Sequence, residues 1–90
     1  MIVIVMMFSS EDHRLITQPE IVTRGFIYVK EAEELMSELM RVVTESISSC
    51  ESQHITDWNS VKLRVKTNLS GYLYKTTKRS PMILPVITEI

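Results

Sequence analysis

The sequence predicts a two-layer α+β domain, in which a small, three-stranded, mainly antiparallel sheet carries two helices on one face, in the order β-β-α-α-β. Three observations lead to this prediction. The chain opens with an apolar run, continues with two long segments whose apolar residues recur every three or four positions, and closes with a second apolar run after Pro81. Ninety residues are the size of one small domain, so residues 1–90 are predicted to form a single domain.

The first strand is predicted over Ile2–Phe8, because every residue there is apolar, which is typical of a strand covered on both faces. Serine and aspartate at positions 9–12 favour a turn. A returning strand is therefore expected, interrupted near Gln18 and Pro19 and resuming over residues 20–30. Gly25 within it indicates a bulge or a close backbone approach. The two strands should pair antiparallel.

Two amphipathic helices are predicted next. The first starts at Glu31 and runs for about 20 residues, and its apolar stripe is Ala32, Leu35, Met36, Leu39, Val43, Ile47 and Cys50. The second starts at residues 56–58 with Thr56 as its N-cap, and its stripe is Trp58, Val61, Val65, Leu69, Tyr72 and Leu73. Gly71 inside the second helix is expected to permit close packing or a bend.

The second helix should end before Pro81, which cannot continue it, with Lys78 and Arg79 complementing the negative end of its dipole. Met82–Ile90 is then the last strand. Pro85 has no N–H to donate to a neighbouring strand, so it is expected at a sheet edge or a bulge.

No catalytic or metal-binding residue is predicted. His13 and His54 are 41 residues apart, which does not suit a metal site, and both are interpreted as polar loop residues. The chain has only two glycines and no glycine-rich phosphate loop. Cys50 lies on the apolar stripe of a helix, where thiols are usually inert. A single cysteine forms no disulfide framework, which favours a reducing cytoplasmic setting. The N-terminal apolar run is too short for a membrane span or signal peptide, so no membrane partner is expected.

Basic residues of the second helix are the candidates for RNA contact. Residues 1–55 hold nine acids and four bases, whereas residues 56–90 hold six bases and two acids. At 100° per residue, Arg64, Lys75 and Lys78 fall within about 60° of one another, and Arg79 follows them. The alternative is a solvated charged surface opposite the acidic first helix.

A second nucleic-acid possibility is RGFIYV at 24–29, which partly matches the base-stacking strand of an RRM. An RRM places its first helix between its first two strands, however, and this chain does not. A packed sheet strand is therefore the preferred interpretation of the segment.

Four apolar residues are the candidates for a protein interface. Val3 and Val5 belong to a strand that is apolar on both faces, although two helices can cover only one of them. Leu63 and Tyr74 project from the outer side of the second helix. The alternative interpretation of these four residues is that each is an apolar side chain exposed singly, which is common on protein surfaces.

With the segments placed, the sequence resembles the C-terminal domain of bacterial ribonuclease J. PEIVTRGFIYVKEAEEL at 19–35 is similar to the strand-to-helix segment of that family, ITDW at 55–58 to the start of its second helix, and YKTTKRSPMILPVITEI at 74–90 to its closing segment. The resemblance covers nearly the whole chain. Ser80 stands where the family usually has a second arginine, which reduces the basic cluster.

The resemblance implies a non-catalytic part of an enzyme that degrades and matures RNA. In that family a metallo-β-lactamase domain with an inserted β-CASP domain holds the catalytic metals, zinc or manganese, and those domains are absent from this sequence. The appended domain has a three-stranded sheet facing two helices and supports subunit association and full activity. The resemblance and the apolar first strand favour an association domain contacting a second subunit or its own catalytic domains. The basic residues favour an RNA-contact module as the alternative, and a free-standing ligand-sensing regulator is the third hypothesis.

Overall fold

A computed structural model of the chain describes residues 1–24, 32–55 and 57–90. The predicted element order is confirmed. The elements are β1 (Ile2–Phe8), β2 (Glu20–Thr23), α1 (Ala32–Ser52), α2 (Trp58–Thr77) and β3 (Ile83–Glu89). The predicted continuation of the second strand through 25–30, with its bulge at Gly25 and the RRM-like segment, lies outside the described residues.

The sheet has β1 at its centre, in the order β2-β1-β3. β1 pairs antiparallel with β2, with Val3 opposite Val22. The predicted hairpin is confirmed, and its turn is closed where the Ser9 N–H donates to the Arg14 carbonyl at 2.8 Å. β3 joins the other edge of β1 in parallel, with Val3 opposite Leu84, so the sheet is mixed. A parallel neighbour requires a long crossover connection, and the two helices lie within it.

The core lies between the sheet and the helices. Alternate residues of β1 point inward and are buried: Ile2, Ile4, Met6 and Phe8. They belong to one cluster with Leu39, Val43 and Ile47 of α1 and with Val61, Val65, Leu69 and Leu73 of α2. The helical periods seen in the sequence therefore identify the buried stripes. They miss Val42 and Ser46 of α1, which are also buried.

Pro85 lies on an edge strand, as predicted. The Ile2 N–H donates to the Met82 carbonyl at 2.8 Å, and the Ile90 N–H donates to the Phe8 carbonyl at 2.9 Å. Even-numbered residues of β3 therefore direct their backbone groups toward β1, and odd-numbered residues direct theirs to the open edge. Pro85 is odd-numbered, so its missing N–H removes no ladder hydrogen bond.

The ends of the helices match the prediction to within one or two residues. α1 begins at Ala32, with Glu33 and Glu34 in its first turn, where negative charge is favourable. The N-cap of α2 is Asp57, while the predicted cap, Thr56, lies outside the described residues. α2 ends at Thr77, and Lys78 adopts a left-handed conformation (φ 62°) from which its N–H donates to the Tyr74 carbonyl.

Gly71 does not permit close packing, the first of the two roles predicted for it, because it is exposed and an added Cβ would meet no atom within 4 Å. Gly71→Ala should therefore raise the free energy of unfolding by about 0.5–1 kcal/mol, since alanine favours a helix more than glycine does. Urea unfolding followed by the fluorescence of the single tryptophan, Trp58, measures this. The neighbouring control, Leu69→Ala, should lower the free energy of unfolding by about 2–5 kcal/mol, because Leu69 is fully buried. Destabilisation by Gly71→Ala would contradict the open environment of Gly71 on α2.

Candidate interaction surface

The sheet has one free face, which is formed by the residues that alternate with the core residues. Val3, Val5 and Met7 of β1 point away from the helices and are partly exposed. Their register partners complete three rows across the sheet: Val22 and Leu84 beside Val3, Glu20 and Val86 beside Val5, and Thr88 beside Met7. We call Val3, Val5, Met7, Val22, Leu84 and Val86 the outer sheet face.

This face is contiguous and apolar. Val22 is 38 % exposed, and Leu84 and Val86 are each 42 % exposed, although branched aliphatic side chains are usually buried. No described helix covers these residues, since α1 and α2 both pack on the opposite side of the sheet. A contiguous exposed apolar patch is typical of an interaction site, whereas scattered exposed residues are not. The structure therefore brings Val3 and Val5 together with four apolar residues that the sequence did not single out.

Leu63 and Tyr74 lie elsewhere, on α2. They are 64 % and 58 % exposed, and they project from the side of the helix opposite its buried residues. Because α2 packs on the inner face of the sheet, its exposed side points away from the outer sheet face. The four candidate interface residues therefore divide between two surfaces, and the apolar residues are contiguous only on the sheet.

Arg64 is held in the contact between the two helices. Its guanidinium donates to the Ser49 hydroxyl at 2.9 Å and to the Gln53 side-chain oxygen at 3.2 Å, both on α1. One turn farther along α2, the Asn68 amide donates to the Ser46 hydroxyl at 2.7 Å. We call these residues the interhelical polar seam. Two N–H groups of the Arg64 guanidinium are therefore engaged within the domain.

The other basic candidates lie at the carboxyl end of α2 and are exposed. Lys75 is in the last turn of the helix, whereas Lys78 and Arg79 follow its end. The Lys78 ammonium lies 5.9 Å from the centre of the Tyr74 ring, and the Arg79 N–H donates to the Thr77 hydroxyl. Lys78 lies beyond the end of the helix, so the prediction that placed it on one helical face with Arg64 and Lys75, at 100° per residue, is wrong. Eleven residues of helix, about 16 Å, separate Lys75 from Arg64.

An aromatic cluster closes the core where β1 and β3 end, and sequence reasoning did not find it. Trp58 packs on Phe8, with 4.8 Å between ring centres, and on His13, at 5.3 Å, and its indole N–H donates to a Glu89 carboxylate oxygen at 2.8 Å. His13 has a left-handed backbone (φ 58°), and its Nδ1 is buried with no partner in the described structure. Its four members are scattered from position 8 to position 89, so no local motif indicates the cluster.

Nucleophilic and metal chemistry find no support in the described residues. The thiol of Cys50 is buried, and burial raises its pKa, which keeps it in the unreactive protonated form at neutral pH. Within 1–24, 32–55 and 57–90, no three histidine, cysteine or carboxylate side chains are grouped so that they would hold a metal ion. None of the helices described has the length and apolar character needed to cross a membrane.

Comparison with known proteins gives a consistent result along the whole chain. Residues 1–90 match the family described as the ribonuclease J C-terminal domain. Ribonuclease J2 of Bacillus subtilis (strain 168) is 33% identical over 89 residues, which are 99% of this chain and 16% of that protein. Ribonuclease J 2 of Staphylococcus aureus (strain NCTC 8325 / PS 47) is 36% identical over 86 residues, 96% of this chain and 15% of that protein. The chain thus spans about a sixth of the length of these relatives.

The interhelical polar seam leads to a prediction about stability. Arg64→Ala should lower the free energy of unfolding by about 0.5–1.5 kcal/mol, because it removes two hydrogen bonds between α1 and α2. Lys75→Ala, an exposed basic residue on the same helix, is the matched control and should change it by less than about 0.5 kcal/mol. Urea unfolding of both variants measures the difference. Equal effects of the two substitutions would mean that the hydrogen bonds of Arg64 contribute no net stability.

Proposed function

Because this chain belongs to the ribonuclease J C-terminal domain family, we propose that it is a non-catalytic association domain of an enzyme that degrades and matures RNA. RNA is the substrate of the whole enzyme in this proposal. The catalytic metals, zinc or manganese, belong to metallo-β-lactamase and β-CASP domains outside this chain. The enzyme works in the bacterial cytoplasm, a reducing setting that suits the buried free thiol of Cys50.

The observation that carries this proposal is the outer sheet face. β1 is apolar at all seven positions, but the helices bury only Ile2, Ile4, Met6 and Phe8. Leaving the other face in water forgoes roughly 25 cal/mol for each Å² of apolar surface that a partner would cover. A face of this kind is therefore expected to pack on a second subunit or on the enzyme's own catalytic domains.

In this proposal, association through the outer sheet face is the means by which the domain supports full activity of the enzyme. A packed sheet holds its partner at a defined distance and orientation, because side chains of the two surfaces interdigitate. The domain then acts on the reaction by positioning catalytic domains or subunits, and it contacts no reacting atom.

RNA contact is the second candidate, and the exposed cations after α2 favour it. Lys75, Lys78 and Arg79 are accessible, and Lys78 and Arg79 adjoin each other at the helix end. Arg64 contributes less, because its hydrogen bonds hold it against α1. Three accessible cations form a small electrostatic footprint, so this candidate ranks below association.

Charge placed on the outer sheet face should abolish association. Val3→Lys or Val5→Lys introduces a cation that would have to be buried without a partner, and sedimentation should show the loss of any oligomer. The same variants should fail to restore activity when supplied to an enzyme truncated before this domain. Leu63→Lys, on the exposed side of α2, is the matched control and should associate normally. A domain that restores full activity despite Val3→Lys and Val5→Lys would contradict the proposal.

The RNA-contact candidate makes a separate prediction. If Lys75, Lys78 and Arg79 bind phosphates, affinity for a single-stranded oligoribonucleotide should fall by about 0.7 log units per log unit of salt for each contact. Reversing these three charges to glutamate should remove binding, whereas Arg64→Glu alone should mainly lower stability. Fluorescence anisotropy between low and moderate salt measures the slope. Absence of binding at low salt would remove this candidate.

A further inference from the structure

We propose that the outward side of α2 is a second docking surface, and that its partner is a protein segment in which carboxylate side chains stand beside apolar ones. This inference goes beyond the association function, because the surface belongs to the helical layer and points away from the outer sheet face. Both surfaces can therefore be occupied at once. The inference is carried by two pairs of neighbouring residues on α2, Leu63 with Arg64 and Tyr74 with Lys75.

The two pairs lie in line along the helix. Leu63 and Tyr74 are eleven residues apart, close to three full turns, so they point within about 20° of each other and lie about 16 Å apart. Both are largely exposed. Arg64 and Lys75 have the same spacing and form a line of cations beside the apolar residues. We use the name α2 outer face for these residues and the small ones between them: Leu63, Arg64, Thr67, Gly71, Tyr74 and Lys75.

Small residues separate the two pairs and leave room for a close approach. Thr67 and Gly71 are exposed and lie between the pairs on the same side of α2. A glycine weakens a helix by about 1 kcal/mol relative to alanine, and a Cβ added at Gly71 would meet no atom of the domain within 4 Å. A partner backbone passing close to this position accounts for a glycine that no packing contact within the domain requires.

Arg64 holds a positive charge that the described part of the chain does not neutralise. Its guanidinium is partly buried and bonded to two uncharged acceptors, the Ser49 hydroxyl and the Gln53 side-chain oxygen, and it forms no ion pair among the described residues. A guanidinium has five N–H donors, so three remain for a partner. Because α1 fixes the orientation of this side chain in advance, a carboxylate that binds it loses little side-chain freedom of the arginine.

The surroundings of Arg64 favour a partner that is both acidic and apolar. α2 has four basic residues and no aspartate or glutamate among its 20 residues, so negative charge on a partner is favoured along the whole helix. Arg64 lines a groove with Ile55 and Leu63, which contribute most when they contact apolar atoms. Asp57, whose carboxylate accepts from the Ser60 hydroxyl at 2.9 Å, bounds the basic region at the start of the helix.

RNA and small carboxylic acids match the α2 outer face less well. An RNA strand carries a charge at every nucleotide, whereas Arg64 and Lys75 are about 16 Å apart with small, uncharged side chains between them. Bases can stack on Tyr74, but Leu63 offers no ring. The groove beside Arg64 is open along one side, and sites for small ligands usually enclose most of the ligand. A protein segment lying across both pairs uses all four side chains.

Selection from a library of random peptides tests the chemistry of the partner. Peptides of about 16 residues, which reach across both pairs even when helical, are displayed on phage and selected on the 90-residue chain. Binders that also recognise the double variant Leu63→Ser/Tyr74→Ser are removed, since that variant lacks only the exposed apolar side chains. The remaining peptides should contain more aspartate and glutamate than lysine and arginine, together with aliphatic or aromatic residues. Recovery of no peptide, or of peptides without an acidic excess, would overturn the proposed partner.

A recovered peptide, labelled with fluorescein, is then titrated with single variants in fluorescence anisotropy. Leu63→Ser and Tyr74→Ser should each weaken binding at least about fivefold, and replacing the carboxylates of the peptide by amides should weaken it at least about tenfold. Gly71→Gln should weaken binding while raising the free energy of unfolding, because glutamine fills the gap and favours a helix. Leu84→Ser, which changes an exposed leucine of the outer sheet face, is the matched control and should bind normally. Urea unfolding checks that every variant folds.

The other outcomes distinguish this inference from the proposals above. Weakening by only one of Leu63→Ser and Tyr74→Ser would overturn the arrangement with two apolar contacts, and binding insensitive to Gly71→Gln would overturn the close approach at that position. A single-stranded oligoribonucleotide that binds more tightly than the peptide and is weakened by both serine variants would make RNA the occupant and overturn a protein partner. Val3→Lys should leave peptide binding unchanged, so the association function is tested separately.

Discussion

The whole domain depends on β1, whose two edges pair with other strands and whose inner face forms the centre of the core. Both of its neighbours bond to it, β2 in antiparallel and β3 in parallel register. Its inward residues form the centre of the core with residues of both helices. Since side chains alternate strictly along a strand, filling one face of the all-apolar β1 leaves an equally apolar row on the other. The exposed outer sheet face is thus a direct consequence of how the core is built.

The helical layer is fixed to the sheet by apolar packing and aligned internally by polar contacts. Apolar stripes on α1 and α2 supply the burial, but such stripes tolerate sliding of one helix along the other. Hydrogen bonds from Arg64 and Asn68 to serine hydroxyls of α1 link specific residues and so define one register. This use of Arg64 also changes the interpretation of the basic residues, because a cation counted for RNA contact serves the packing of the helices.

The outer sheet face alone offers a non-directional attraction that would fit many apolar surfaces. An exposed charge that shares the sheet face by register, as Glu20 does beside Val5, restricts what such a face can contact, because a charge buried against apolar atoms without a counterpart is costly.

Local pattern was sufficient to determine most of the secondary structure of this protein. The uninterrupted apolar run predicted β1, the three-to-four period predicted both helices, and Pro85 predicted an edge strand, because each depends on residues close in sequence. The position of Val3 and Val5 on the face of β1 that the helices leave uncovered followed from the same reasoning. What only the tertiary structure decided depends on residues distant in sequence: the parallel pairing of β3, the Trp58 cluster with Phe8, His13 and Glu89, and the contacts of Arg64. Strand register across the sheet placed Val22, Leu84 and Val86 beside Val3 and Val5 on the outer sheet face, since pairing, and not local sequence, sets which side chains share a surface.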